Sequence, residues 1–165
     1  MSELRETRER EVKLTPGAHF AMPDLGGEAL APRVFVSTYH DTPDHLLARA
    51  GITLRRRVER GRGVWQLKLP SGDARLELEE DGAARTVPPR IAELLLAFLR
   101  RGELVPVARL KTRRDGVLVD GAEVVHDSVS VLHGQRVERT FDELEVELID
   151  GDERALKRLE KRLRR

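Results

Sequence analysis

Apolar and polar positions alternate with period two along most of the chain. Between Glu9 and Leu14, the residues Glu9, Glu11 and Lys13 fall on one face while Val12 and Leu14 fall on the other. That is the signature of a strand, whose successive side chains point to opposite sides. Five further runs repeat it. Ile52, Leu54 and Val58 oppose Arg55 and Arg57; Trp65, Leu67 and Leu69 oppose Gln66 and Lys68; Leu76 and Leu78 oppose Arg75, Glu77 and Glu79. Later, Ala108 and Leu110 oppose Arg109, Lys111 and Arg113, and Leu144, Val146 and Leu148 oppose Glu143, Glu145 and Glu147.

Turn residues separate the runs: Arg60-Gly61-Arg62-Gly63, Pro70-Ser71-Gly72-Asp73, Arg114-Asp115-Gly116 and Asp120-Gly121 each suit a tight antiparallel connection. Helical signals are fewer. Thr42-Pro43-Asp44 reads as N-cap, N1 proline and acidic first turn ahead of Leu46-Leu47-Ala48, with Asp41 and Thr42 as capping residues. Pro88-Pro89 leads into a helix over 91–99, and a last helix starts near Glu153 with Leu156, Leu159 and Leu163 as its stripe. The pattern predicts an α+β protein dominated by an antiparallel sheet, with helices on the sheet's apolar side.

Length adds one constraint: 165 residues suit a single domain over 1–165. Charge adds more. Thirty Lys+Arg against 29 Asp+Glu leave +1, although 36% of residues are charged. Near-neutrality argues against a general polyanion binder, and 4% aromatic content leaves few rings for stacking bases, so no nucleic-acid partner is expected. With no cysteine, any metal must sit on oxygen or imidazole, and the five histidines show no ligand spacing. The N-terminus carries no signal peptide and no run of 18 apolar residues occurs, which predicts a cytoplasmic protein without a membrane partner.

The charged face is unusual. Side chains at i and i+2 of a strand lie about 6.6 Å apart, where like charges repel. Yet Arg55/Arg57, Arg109/Lys111/Arg113 and Glu143/Glu145/Glu147 are same-sign rows. From Arg55 to Lys68 there are six bases and one acid; from Asp142 to Glu153 there are seven acids and no base. Curling the sheet with this face inward would set acidic strands beside basic ones. The interior would then suit a ligand that is both cation and anion, such as a metal-bound polyphosphate.

These residues resemble a known family. Glu9-x-Glu11-x-Lys13 is similar to the ExExK signature of the CYTH domain, the triphosphate tunnel metalloenzymes. Tyr39-His40-Asp41-Thr42, Leu54-Arg55-Arg56-Arg57, Lys68, Arg75-x-Glu77-x-Glu79, Arg109-x-Lys111-x-Arg113, and Asp127 with Glu143-x-Glu145-x-Glu147 resemble that family's later elements in order. The resemblance implies an eight-stranded antiparallel β-barrel, open as a triphosphate tunnel and flanked by helices. It implies Mg2+ or Mn2+ on Glu9, Glu11, Asp127, Glu145 and Glu147. Lys13, Arg55, Arg57, Lys68, Arg75, Arg109, Lys111 and Arg113 would grip the phosphates, and Glu9, Glu11 and Lys13 would take part in catalysis. Arg56 falls on the apolar parity and is excluded, and Trp65 is expected in the core.

The implied activity is metal-dependent hydrolysis of inorganic triphosphate or a related organic triphosphate, with triphosphate or polyphosphate as the small-molecule partner. Two other classes compete: a class IV adenylyl cyclase and a non-catalytic polyphosphate- or nucleotide-binding module. The cyclase resemblance lacks its His-Phe pair, because residues 1–8 contain neither. A pure anion receptor gains nothing from tunnel carboxylates. The basic amphipathic tail from Arg154 to Arg165 reads as a helix closing the barrel, and the resemblance implies a helical CHAD domain as a further partner in a longer chain.

Overall fold

Each alternating run becomes a strand in the computed structural model, which describes residues 2–164. The strands are β1 (Arg5–Glu9), β2 (Glu11–Leu14), β3 (Glu28–Ala29), β4 (Arg33–Asp41), β5 (Thr53–Glu59), β6 (Arg62–Ser71), β7 (Ala74–Asp81), β8 (Val105–Val119), β9 (Ala122–His133) and β10 (Arg136–Leu148). Three helices accompany them: α1 (Leu46–Arg49), α2 (Pro89–Leu99) and α3 (Glu153–Leu163).

Hydrogen-bonded neighbours run β1-β7-β6-β5-β4-β8-β9-β10-β2, with every pair antiparallel. The two ends of that order, β1 and β2, are separated in the chain only by Arg10, so the sheet closes into a barrel. β3 pairs Glu28 with Leu118 and Ala29 with Val117, just beyond the point where β4 pairs Arg33 with Arg114. It therefore prolongs β4's stave past an interruption. With β1/β2 and β3/β4 each counted as one interrupted stave, the ten strands form the eight staves that the resemblance implied.

Local chemistry explains the connections. Arg60-Gly61 and Asp120-Gly121 both place two successive residues at positive φ, the mirror-type turn that suits a twisted hairpin. Arg114-Asp115-Gly116 is not the turn that its composition suggested, because β8 runs through it and alternation resumes at Val117 and Val119. The reversal before β10 instead uses Gly134, at φ 60°. Asp41 accepts hydrogen bonds from the Leu47 and Ala48 amides (2.9 and 3.0 Å), and the Thr42 hydroxyl accepts from Leu46 (3.0 Å). The two residues cap α1 as expected, although the helix begins at Leu46 rather than at Pro43. Asp152 caps α3 by accepting from the Ala155 amide at 2.8 Å.

The apolar cores lie outside the barrel wall. α3 buries Leu156, Leu159 and Leu163 against Val124, Leu144 and Val146; on another flank, α1 and α2 cover Leu54, Trp65 and Leu67 with Leu47, Ile91 and Leu95. Each fully buried leucine contributes roughly 1.5–3 kcal/mol. Under these helices the polar side of every strand must face inward. Arg56 accordingly lies outside, donating to the Gly82 carbonyl at 2.9 Å.

Along β4 and the first half of β8 the preference inverts. Neither helix-covered cluster includes a residue there, and Phe35, Thr112 and Val129 are buried at inward register positions while Arg109, Lys111 and Arg113 are exposed. Without a helix above it, a strand turns its charges to solvent. Arg113 and Arg114 mark the switch, one pointing out and the next in.

Candidate functional site

A polar cavity of about 170 Å³ runs through the barrel, and both signs of charge line it. β1 and β2 contribute Glu9, Glu11 and Lys13; β4 and β5 contribute Arg33, Arg55 and Arg57; β6 and β7 contribute Gln66, Lys68 and Glu77. β8, β9 and β10 contribute Arg114, Glu123, Glu145 and Glu147. Eight residues expected from sequence meet here: Glu9, Glu11, Lys13, Arg55, Arg57, Lys68, Glu145 and Glu147.

The remaining expected residues lie elsewhere. Arg75 sits at one mouth, facing Glu9, Glu11 and Lys13 across a second hollow, and its guanidinium donates to the Gly51 carbonyl at 3.2 Å. Arg109, Lys111 and Arg113 point away from the cavity, for the coverage reason given above. Arg109 donates to the Gly134 carbonyl, and Arg113 pairs with Asp115 at 3.1 Å. Asp127 is buried and faces inward, but it does not line the cavity. Its two oxygens accept from Arg114 at 2.8 and 2.7 Å, so the residue holds an arginine.

Arg114 is the base that sequence reasoning missed, together with Arg33, Gln66 and Glu123, whereas Glu77 was already placed on the charged face of its strand. The available signal was the Arg113-Arg114 doublet, which sets one arginine on the parity shared with Thr112 and Leu110.

Most tunnel charges are already paired. Lys13 meets Glu145 at 2.7 Å, Lys68 meets Glu9 at 2.6 Å and Glu77 at 3.1 Å, and Arg114 also reaches Glu145 at 2.8 Å. Partial desolvation opposes the charge on Lys13, but Glu145, Glu11 and Glu143 outweigh it and hold the ammonium well above its usual range. Burial likewise opposes ionisation of Glu145, and Lys13 and Arg114 overcome it, keeping that carboxyl below its ordinary value.

Arg57 is less satisfied. Burial, then Arg55 and Arg33, lower its pKa, and its nearest acid, Glu79, is 3.9 Å away. Phe35 supports it: the guanidiniums of Arg33, Arg57 and Arg114 lie 5.6, 5.2 and 5.5 Å from that ring's centre, within cation–π range.

Glu147 has no ion pair or hydrogen bond among the described residues, and burial together with Glu9, Glu11 and Glu123 pushes it up to about 7. Such a crowd of hard oxygens suits a divalent cation of the magnesium or manganese type. Glu9, Glu11 and Glu147 are the residues that could hold one. Among the described residues, no three carboxylates or imidazoles already converge as a metal site. Glu145, expected in the same set, also lines the cavity but already carries Lys13 and Arg114, as Glu9 carries Lys68; Asp127 is held by Arg114 off the lining.

Glu77 is also pushed up to about 7, by burial and by Glu9 against the opposing pull of Lys68. A carboxyl raised on folding favours its protonated form, so its penalty is present above pH 7 and fades as pH falls towards the ordinary 4.5. Glu147 acts in the same direction. Metal-free protein is therefore expected to melt roughly 3 °C or more higher at pH 5 than at pH 8. Equal or lower melting at pH 5 in a chelator-containing scan would contradict the burial of these two acids.

Comparisons with known proteins place the chain. The CYTH domain model matches residues 7–165. An uncharacterised protein of Mycobacterium tuberculosis is 42% identical over 89 residues, covering 52% of this chain and 17% of that protein. Human thiamine-triphosphatase is 34% identical over 92 residues, covering 56% of this chain and 39% of that protein. The matched stretch thus spans well under half of either relative.

Among solved structures, a candidate adenylate cyclase from Bacillus halodurans superposes with a TM-score of 0.67 at 18% identity, covering 96% of this chain and 88% of that one. A candidate adenylyl cyclase from Hippeastrum, described as having a dominant triphosphatase activity, superposes at 0.53 with 20% identity, covering 99% and 87%. At these identities the two structures speak for the fold. No helix among the described residues is long and apolar enough to cross a membrane.

Proposed function

The chain belongs to the CYTH domain family, and from that premise we propose that its tunnel hydrolyses a linear triphosphate with the help of Mg2+ or Mn2+. The observation that carries the reading is the division of the cavity wall. Arg55 and Arg57 on β5 lie across the barrel from Glu9 on β1, Glu11 on β2 and Glu147 on β10, so a polyanion and its counter-cation can be held side by side. A receptor for the anion alone would leave Glu147 crowded and unneutralised. The human relative named for thiamine triphosphate supports a triphosphate substrate.

In this reading, Arg55 and Arg57 donate to the phosphate oxygens. Arg55 is preset by donating to the Gln66 side-chain carbonyl at 2.7 Å, which fixes its plane. Arg114 is oriented by Asp127, and Lys68 and Lys13 neutralise charge that develops on the reacting phosphoryl group. A divalent metal held by Glu9, Glu11 and Glu147 would supply further charge neutralisation for the phosphates. Water attacks the terminal phosphorus and the bridging P–O bond breaks, so tripolyphosphate yields orthophosphate and pyrophosphate.

Phosphate release from tripolyphosphate, ATP, thiamine triphosphate and long-chain polyphosphate, each with Mg2+, Mn2+ or chelator, tests the proposal. Fastest turnover is expected on tripolyphosphate, and none with chelator. Binding without turnover under either metal would sink the hydrolase reading, and cyclic AMP with pyrophosphate from ATP would replace it with a cyclase.

The same assay checks the outward-facing row on β8. A triple Arg109→Ala/Lys111→Ala/Arg113→Ala variant should keep kcat/KM within about twofold of the parent, because exposed charges outside the barrel act only through screened, long-range terms. A fall of tenfold or more would put that row back in the tunnel.

A further inference from the structure

Twelve of the thirteen residues that line the tunnel are ionisable, and Gln66 is the exception. It is buried, with 1% of its surface exposed. Register places it on a border: Arg55 of β5 lies on one side and Glu79 of β7 on the other. The amide uses both ends. Its oxygen accepts from Arg55 Nε at 2.7 Å, and its nitrogen donates to Glu79 and, at 3.4 Å, to Glu77. An arginine has only donors and a carboxylate only acceptors, so the amide stands in this one orientation.

The consequence is the charge left on Arg55. Among the described residues, the other five cations of the tunnel wall each have a carboxylate within 3.9 Å: Lys13, Arg33, Arg57, Lys68 and Arg114. Arg55 has none, and its two side-chain partners, Gln66 and the Tyr39 hydroxyl at 3.3 Å, are both uncharged. They fix the guanidinium without neutralising it, and they leave its other N–H donors to the tunnel.

We propose that Gln66 is a positioning residue whose neutrality keeps Arg55 unpaired, so that the whole charge of this arginine is held for a phosphate group. This rests on the triphosphate reading of the tunnel. It adds the reason for an amide at the border between basic β5 and acidic β7. A glutamate there has the same shape, but its ionised form pairs with Arg55, loses the donor that meets Glu79 and repels Glu77 as well. A lysine would pair with Glu79 and repel Arg55. Only a neutral group with an acceptor at one end and a donor at the other serves both neighbours.

Calorimetry in Mg2+ with bismethylene triphosphonate, a triphosphate mimic that resists hydrolysis, tests it on Gln66→Glu and Gln66→Met, each compared with the wild type at the same pH. At pH 8.5, Gln66→Glu should bind the probe about tenfold more weakly or worse. The deficit should narrow at pH 5.5, because a protonated carboxyl offers the same acceptor and donor as the amide. Gln66→Met keeps the length without either group and should be weakened at both pH values. In tripolyphosphate turnover at pH 8.5, Gln66→Glu should raise KM about tenfold with kcat within about threefold, the mark of lost grip on the bound substrate rather than of a damaged fold. Wild-type binding by Gln66→Glu at pH 8.5 would overturn the proposal. Equal losses in both variants at both pH values would make Gln66 a packing residue and overturn it too. A wild type that binds the probe but leaves tripolyphosphate intact strikes the hydrolase reading alone, and unchanged variants of an active wild type strike the role of Gln66 alone.

Discussion

Glu147→Gln is expected to lower tripolyphosphate turnover by about two orders of magnitude or more while raising the melting temperature of the metal-free protein. Both halves follow from one observation. Glu147 makes no ion pair or hydrogen bond among the described residues, and burial with Glu9, Glu11 and Glu123 outweighs the pull of Lys68 and pushes its carboxyl up to about 7. At neutral pH its negative charge is a cost to the empty barrel, and a neutral amide of the same shape removes that cost.

As one of three carboxylates available to a cation, it would contribute to a charge stabilisation worth several kcal/mol, and each 1.36 kcal/mol is tenfold in rate. Glu145→Gln makes the contrast. Glu145 compensates Lys13 and Arg114, so its neutralisation should lower the melting temperature. Thermal scans in chelator, paired with phosphate-release assays in Mg2+, separate the two. Full turnover by Glu147→Gln would remove it from the metal set.

Arg114→Ala should be the most destabilising substitution in the tunnel. Its guanidinium holds Asp127 through two hydrogen bonds and Glu145 through a third, and both acids are buried. Breaking a buried pair by removing one partner costs about 3–5 kcal/mol, because a charge is left without compensation. For a protein of this length that corresponds to a fall in Tm of roughly 6–15 °C. Arg114→Lys should recover only part of it, since one ammonium cannot reproduce a planar fork that reaches two acids. An Arg114→Ala variant melting within about 2 °C of the parent would show that the clamp is not structural.

Why Arg114 and not Arg113 was hidden is instructive. Period-two alternation separates a strand's faces with certainty, because side chains must point to opposite sides. It does not say which face is inside. For β2, β5, β6, β7 and β10 the apolar face belongs under a helix, so the charged residues Glu11, Lys13, Arg55, Arg57, Lys68, Glu145 and Glu147 were legible as lining. On β8 the same logic misplaces Arg109, Lys111 and Arg113, because helix cover is absent over the strand's first half and present over Val117 and Val119. The faces exchange roles within one strand.

Asp127 shows a second limit. Its inward parity was readable, but whether a carboxylate faces a ligand or an arginine depends on which strand lies beside it, and register puts Arg114 directly opposite. Glu123 and Arg33 come from strand ends, where no run of like charge advertises them.

Legible in the sequence alone were six of the alternating strands, the Arg60-Gly61 and Asp120-Gly121 hairpin turns, the closing helix with its leucine stripe, and the segregation of charge by strand. All of these follow from local geometry and short-range chemistry. Which charges share the interior, and which are already neutralised, was settled by the closed barrel instead. Those properties depend on helix cover, register and the closure of β1 and β2 around Arg10, which bring residues more than a hundred positions apart within hydrogen-bonding distance, as Lys13 and Glu145 are.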